Sequence, residues 1–336
     1  METTTPPDAA TRLARLVNFL AQDPRNPRLL ADAAQAALEA GEIAEAERYV
    51  QAGIAEEGVT DEWTFRLASV RIAQRQLAEA RALLEALRKR CPGVAGIDHD
   101  LAFVALLEGD CERSAQILRP WTSGERDAGV HATAIAAGWL RALHALDRLH
   151  EAWRWAQGRT PSQLGAAGTG VASLVAFDLG YPADASRLAD RALQSDPRQL
   201  EALFTRASIA LTHQELETAR AGFEEIVRTQ PHQARAWTAL GILAIVRGDW
   251  PAARGAFESS LFAYEEQADA HGALSMVLLT MGERAPAAVH AMRSDELDPG
   301  NEVARFMKAI LAGDTVVLAE LQERARQLMA SWPRRH

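Results

Sequence analysis

The sequence predicts an all-α protein assembled by stacking antiparallel helix pairs, and three observations carry that reading. A 34-residue period runs through the second half in one unbroken register. Glycine and proline fall at fixed places within the period, where a first helix must turn and a second must stop. The chain is 48% apolar but only 6% aromatic, and alanine, leucine and arginine dominate it, which favours helix over strand.

The period is plainest in the repeats that begin at Ala166, Leu200, Ala234 and Ala268. Small residues stand at the eighth position (Ala207, Gly241, Ser275) and the twentieth (Ala219, Ala253, Ala287), so the two helices of a pair can approach closely. Large residues at the fourth or twenty-fourth (Leu203, Trp237, Phe223, Phe257) fill the space around that crossing. Gly248 and Gly282 permit a left-handed turn after the first helix, and Pro197, Pro231 and Pro299 close the second. Upstream, weaker copies begin at Pro27, Asp61, Ala95 and near Thr133. The last of these starts 38 residues after its predecessor and 33 before its successor, so the register slips once, between about Trp121 and Gly170.

The repeat from Ala234, with Trp237, Leu240-Gly241, Ala244, Gly248-Asp249, Ala253 and Phe257, resembles the tetratricopeptide repeat. It departs from that pattern at Ala244, where tyrosine is preferred, and at Glu265, where proline is expected. The resemblance covers residues 23 to 312 and implies a right-handed superhelical solenoid of about eight repeats plus terminal capping helices. The expected organisation is an arm and capping helix over 1–22, repeats over 23–125 and an irregular repeat over 126–165. Regular repeats follow over 166–300, then capping helices and a tail over 301–336. Thr11 to Leu20, Glu302 to Leu311 and Val316 to Met329 are the capping helices.

Several function classes are disfavoured. A net charge of −9 argues against a general nucleic-acid binder. The N-terminus lacks the basic and apolar regions of a signal peptide, and no stretch approaches the length of a membrane span, so a cytoplasmic protein is expected. Lys89 and Lys308 are the sole lysines, a bias that suggests a GC-rich bacterial source. Cys91 and Cys111 form neither a disulfide framework nor a metal pair, and each reads as a small apolar residue. Gly165, Gly168 and Gly170 superficially look like a phosphate loop, but the strand and βαβ unit that such a loop needs are absent from the pattern. His144 and His150 lie six apart, on different helix faces, and the other histidines are dispersed. No catalytic residue, metal site or cofactor is therefore expected, and the chain is read as no enzyme.

The resemblance implies that the second, fifth, ninth and twelfth positions of each first helix line a concave groove. The groove residues expected on that basis are Phe65, Ser69, His99, Phe103, Arg141, His144, Leu174, Phe177, Phe204, Ser208, Ile242, Ile245 and Met276, with Phe306 extending the row. Two readings of this apolar row stay open. Either it is an exposed trough that receives a protein segment, or it packs within the array. On the first, Phe204→Glu weakens partner binding and leaves the chain folded. A carboxylate clamp of the kind that grips chaperone C-termini is not expected, because no lysine lies in the groove and Ala31, Gln35, Phe65 and Ser69 hold its positions. Arg66 and Arg141 either meet an acidic partner or pair with neighbouring acids. Trp121, Trp139, Trp153 and Trp155 cluster at the slip, where they either fill voids or mark an interface.

The function expected is that of an interaction scaffold or chaperone-like adaptor holding a protein or peptide partner, without nucleic-acid binding or membrane insertion. The alternative is a structural or oligomerisation module, with self-association, that supports a separate enzyme or an envelope or secretion assembly.

Overall fold

The computed structural model describes residues 9–312 and Glu323. Every regular element among these residues is helical, and they divide into two compact units with the boundary between Arg148 and Leu149. The first unit contains α1 (Ala9–Leu20), α2 (Pro27–Ala40), α3 (Ile43–Glu57), α4 (Asp61–Ala73), α5 (Leu77–Arg90), α6 (Ala95–Leu107), α7 (Cys111–Thr122) and α8 (Ala132–Ala145). The second contains α9 (Leu149–Gln157), α10 (Pro161–Asp178), α11 (Pro182–Ser195), α12 (Leu200–Thr212) and α13 (Leu216–Thr229). It continues through α14 (Ala234–Arg247), α15 (Trp250–Ala263), α16 (Ala268–Thr280), α17 (Arg284–Leu297) and α18 (Glu302–Ala312). Within each unit, consecutive helices pack on one another, so each is a stack of helix pairs.

The expected repeat starts coincide with helix starts at Pro27, Asp61, Ala95, Leu200, Ala234 and Ala268. The fourth start, near Thr133, falls one residue into α8. At the fifth, α10 begins early at Pro161 and kinks at Gly165 (φ 66°), so its regular turns begin at Ala166. Those glycines thus belong to a helix and its kink, with a helix before and after. Backbone conformation gives an independent measure of the register. A left-handed residue recurs at Gly41, Arg75, Gly109, Asp147, Gly180, Gln214, Gly248 and Gly282, after the first helix of each repeat. The spacing is 34 residues except for 38 before Asp147 and 33 after it, which reproduces the slip read from sequence.

Local chemistry fixes the helix ends. Asn26 accepts hydrogen bonds from the Arg28 and Leu29 amides to cap α2, Asp110 caps α7 and Asp249 caps α15. Proline at the first turn of α2, α10, α11 and α15 costs no helical hydrogen bond. Close packing of pairs then follows from the small residues. A Cβ at Gly241 would lie 2.7 Å from the ring of Phe257, and one at Gly53 would lie 2.1 Å from the ring of Trp63. In the last two full repeats a buried serine joins the pair, with Ser260 Oγ donating to the Ala234 carbonyl at 2.9 Å and Ser294 Oγ to that of Ala268 at 2.7 Å.

The tryptophans of the slip segment mostly fill space. Trp121, Trp139 and Trp153 are buried, and Trp155 is half-buried beneath Arg159, whose guanidinium carbon is 3.4 Å from the ring centroid. Trp121 Nε1 donates to the buried Asp98 at 2.9 Å, and Arg88 approaches the same carboxylate at 2.6 Å. Neither cysteine is fully buried. Cys91 Sγ donates to Asp61 at 3.2 Å, and that carboxylate holds the thiol pKa above its ordinary value. The capping helices read from sequence at Thr11–Leu20 and Glu302–Leu311 correspond to α1 and α18. The one at Val316–Met329 lies outside the described residues.

Candidate partner-binding surface

In the first unit, α2 and α4 enclose an open cleft of about 260 Å³ with Asp32, Gln35 and Leu38 on one side and Glu62, Phe65, Arg66 and Ser69 on the other. Two of the expected residues, Phe65 and Ser69, meet here, and both are half-buried. Ser69 Oγ donates to the Phe65 carbonyl at 3.2 Å, which leaves its lone pairs for an incoming donor. Arg66 bridges the two helices, donating to the Ala31 carbonyl at 3.0 Å and pairing with Glu62 at 3.0 Å. Its charge is thus balanced internally, and the cleft mouth keeps the exposed Asp32.

The next first helix, α6, packs on α4 and presents His99 and Phe103 at equivalent positions. Phe103 is 38% exposed, large for a phenylalanine, and His99 Nδ1 lies 2.8 Å from Asp100. Arg141 and His144 on α8 are half-buried. Of the residues expected in the groove, those of the first unit therefore keep surface to offer.

Those of the second unit do not, and of the two readings of the apolar row the packed one describes them. Leu174, Phe177, Phe204, Ser208, Ile242, Ile245 and Met276 are all buried, and Phe306 packs half-buried against the same core. Phe204 is 7% exposed, meets Phe223 of its own pair edge-on at 5.4 Å, and lies under the Arg235 guanidinium at 4.6 Å. Ile242, Ile245 and Met276 join Phe257, Met307 and Ile310 in one cluster. At the end of the row the next helix also packs closely, and a Cβ at Gly272 would lie 3.3 Å from Val303 of α18. Phe204→Glu therefore destabilises the second unit rather than leaving it folded.

Positional reasoning missed Arg235, a guanidinium whose Nε and Nη2 find no hydrogen-bond partner among the described residues. Burial pushes its pKa down, and the charge of Asp178 acts in the opposite sense. The second position of the repeat, which the groove pattern includes, would have marked it. The His271–His290 contact between α16 and α17 was missed as well, because the residues are nineteen apart and show no ligand spacing. Among the described residues, no three His, Cys, Asp or Glu side chains converge as a metal site would require, and no helix is long and apolar enough to cross a membrane.

The tetratricopeptide repeat family model matches residues 31–95, 172–234 and 238–302, together more than half of the chain. The chain belongs to the tetratricopeptide repeat family. A search of the curated proteins finds no match in sequence. Among solved structures, a chain of the APC/C hetero-tetramer Cut9–Hcn1 superposes with a TM-score of 0.51 at 15% identity, covering 95% of this chain and 52% of that one. The chain thus spans about half the length of that neighbour, and the likeness is one of fold. A tetratricopeptide repeat protein from Parabacteroides merdae matches at 13% identity and a TM-score of 0.38, over 85% of this chain and 99% of that one.

Proposed function

We propose that this tetratricopeptide repeat protein is a non-catalytic adaptor that holds a segment of another protein on the first helices of its first compact unit. The observation that carries the proposal is the cleft between α2 and α4, where Phe65 and Ser69 remain accessible, together with the exposed Phe103 on α6. Apolar surface next to an open cleft is where an anchor side chain gains most from leaving water. The charged groups around it indicate the partner's chemistry. Arg66 is already neutralised, whereas Asp32 is exposed and Asp100 lies beside His99, so the cleft suits an apolar anchor flanked by a basic residue. Phe103→Glu is expected to abolish retention of the partner while the far-ultraviolet circular dichroism stays that of the wild type. Equal retention by the folded variant would move the site elsewhere.

A second reading, self-association, has its own observation in the second unit. Phe262 on α15 is 85% exposed and Met292 on α17 is 59% exposed. The equivalent places in the neighbouring repeats hold Gln194, Arg228 and Glu296 for Phe262, and Asp190, Glu224 and Glu258 for Met292. Apolar side chains thus replace charged or polar ones on an outward position twice, as an interface between copies would require. Sedimentation equilibrium of wild type against Phe262→Arg tests it. A monomer at all concentrations removes this reading.

A further inference from the structure

The last full repeat contains a joint found in none of the three in-register repeats before it. His271 on α16 is 6% exposed, and His290 on α17 is half-buried against it. The rings stack with centroids 5.1 Å apart and planes 29° apart, and the two Nδ1 atoms are 2.8 Å from each other. His271 Nε2 lies 3.0 Å from the carbonyl oxygen of Glu265. At the same positions the other repeats place Thr169, Leu203 and Trp237, and Leu188, Gly222 and Ala256. Both members of the pair therefore depart from the apolar and small residues of the preceding repeats, and they do so in the same repeat and in contact.

The hydrogen bonds fix where the protons are. A carbonyl only accepts, so His271 carries its proton on Nε2, and in the neutral ring its Nδ1 is an acceptor. His290 must then donate from Nδ1, which leaves its own Nε2 unprotonated. One added proton can go to His290 Nε2 with both bonds kept. A proton on His271 Nδ1 would face the His290 N–H across 2.8 Å, and the contact must open.

We propose that His271 and His290 form a proton-operated latch between α16 and α17, which holds the last full repeat closed at neutral pH and releases it in acid. The charges around the pair do not reverse this. From α17, Arg293 disfavours a charge on His271, while Glu265 in the preceding loop favours one. From α15, Glu258 favours a charge on His290. From α14, Arg247 is engaged with Glu217, and Arg235 lies over Phe204. From α18, Arg305 is exposed and Lys308 is paired with Asp295 at 2.6 Å.

Burial is the leading cause in both rings and pushes both pKa values below the ordinary 6.5. A base with a depressed pKa in the closed state contributes stability that is fully present above pH 6.5 and is lost as pH falls from there towards the depressed values. Within that window, opening becomes about tenfold more favourable per pH unit for each proton gained on opening.

Hydrogen exchange of the full chain tests the latch, with protection corrected for intrinsic exchange rates at each pH. As pH falls below 6.5, protection of α16 and α17 is expected to fall relative to α12 and α13, by up to about tenfold per pH unit for each proton gained on opening. The double variant His271→Leu with His290→Ala installs the residue types of Leu203 and Ala256, and is expected to keep protection at pH 7.5 and lose the acid response. An equal acid response in both helix pairs, or one that survives in the double variant, overturns the proposal. Nitrogen-15 imidazole spectra of the wild type give a second reading that requires no variant. A Nδ1-protonated His290 is expected at neutral pH, with both rings titrating below 6.5, and two Nε2-protonated rings titrating at 6.5 would overturn the latch.

Discussion

Replacing Phe204 by alanine separates the packed reading of the second unit from the open-trough reading. The ring is 7% exposed and touches Phe223 at 5.4 Å and the Arg235 guanidinium at 4.6 Å. Truncating a core phenylalanine costs about 3–5 kcal/mol, which includes the cavity left behind. The edge-on contact accounts for about 0.5–1.5 kcal/mol beyond area burial, and the cation over the ring for about 0.5–2 kcal/mol. A loss near the upper end, about 4–5 kcal/mol, is therefore expected. Phe103 serves as the control. With 38% of its surface already in water, its truncation forfeits only part of the roughly 1.5–3 kcal/mol that a fully buried side chain of this kind gains. Urea unfolding followed at 222 nm compares the two variants with wild type. Losses of similar size, or a Phe204→Ala loss below about 1 kcal/mol, would refute the assignment of Phe204 to the core.

Three further outcomes follow from the packing. Gln214, at φ 61°, pays a left-handed backbone penalty that Gly180, Gly248 and Gly282 avoid in the same turn, so Gln214→Gly should raise the urea midpoint by up to about 1 kcal/mol of stability. A lower midpoint would contradict it. Gly53→Ala would put a methyl 2.1 Å from the fully buried Trp63 ring, and a melting temperature lowered by about 3 kcal/mol of lost stability is expected, whereas an unchanged one would show that the ring can move. Asp98→Ala removes the acceptor of Trp121 Nε1 and the partner of Arg88, at an expected cost of about 3 kcal/mol. An unchanged unfolding curve would mean that neither contact contributes.

The helices were legible because the repeat sets small, large and turn residues at fixed intervals, and each of these is a local requirement. The slip was legible for the same reason, since the repeat near Thr133 starts 38 residues after its predecessor and 33 before its successor. Exposure was not legible. The positions of Ile242 and Phe103 are the same by repeat count, yet one is buried and the other is exposed. Ile242 is covered by residues far along the chain, since it packs in one cluster with Met276 and Met307. The histidine joint escaped for a related reason, because its members come together only when α17 folds back on α16.

The claim that the first unit carries the partner site is tested most directly by photo-crosslinking in the native cells, with a benzophenone amino acid placed in turn at Gln35, Phe103 and Phe262. The same covalent adduct is expected from Gln35 and Phe103, with none of that mass from Phe262. An adduct formed at Phe262 alone, with Gln35 and Phe103 silent, would contradict it.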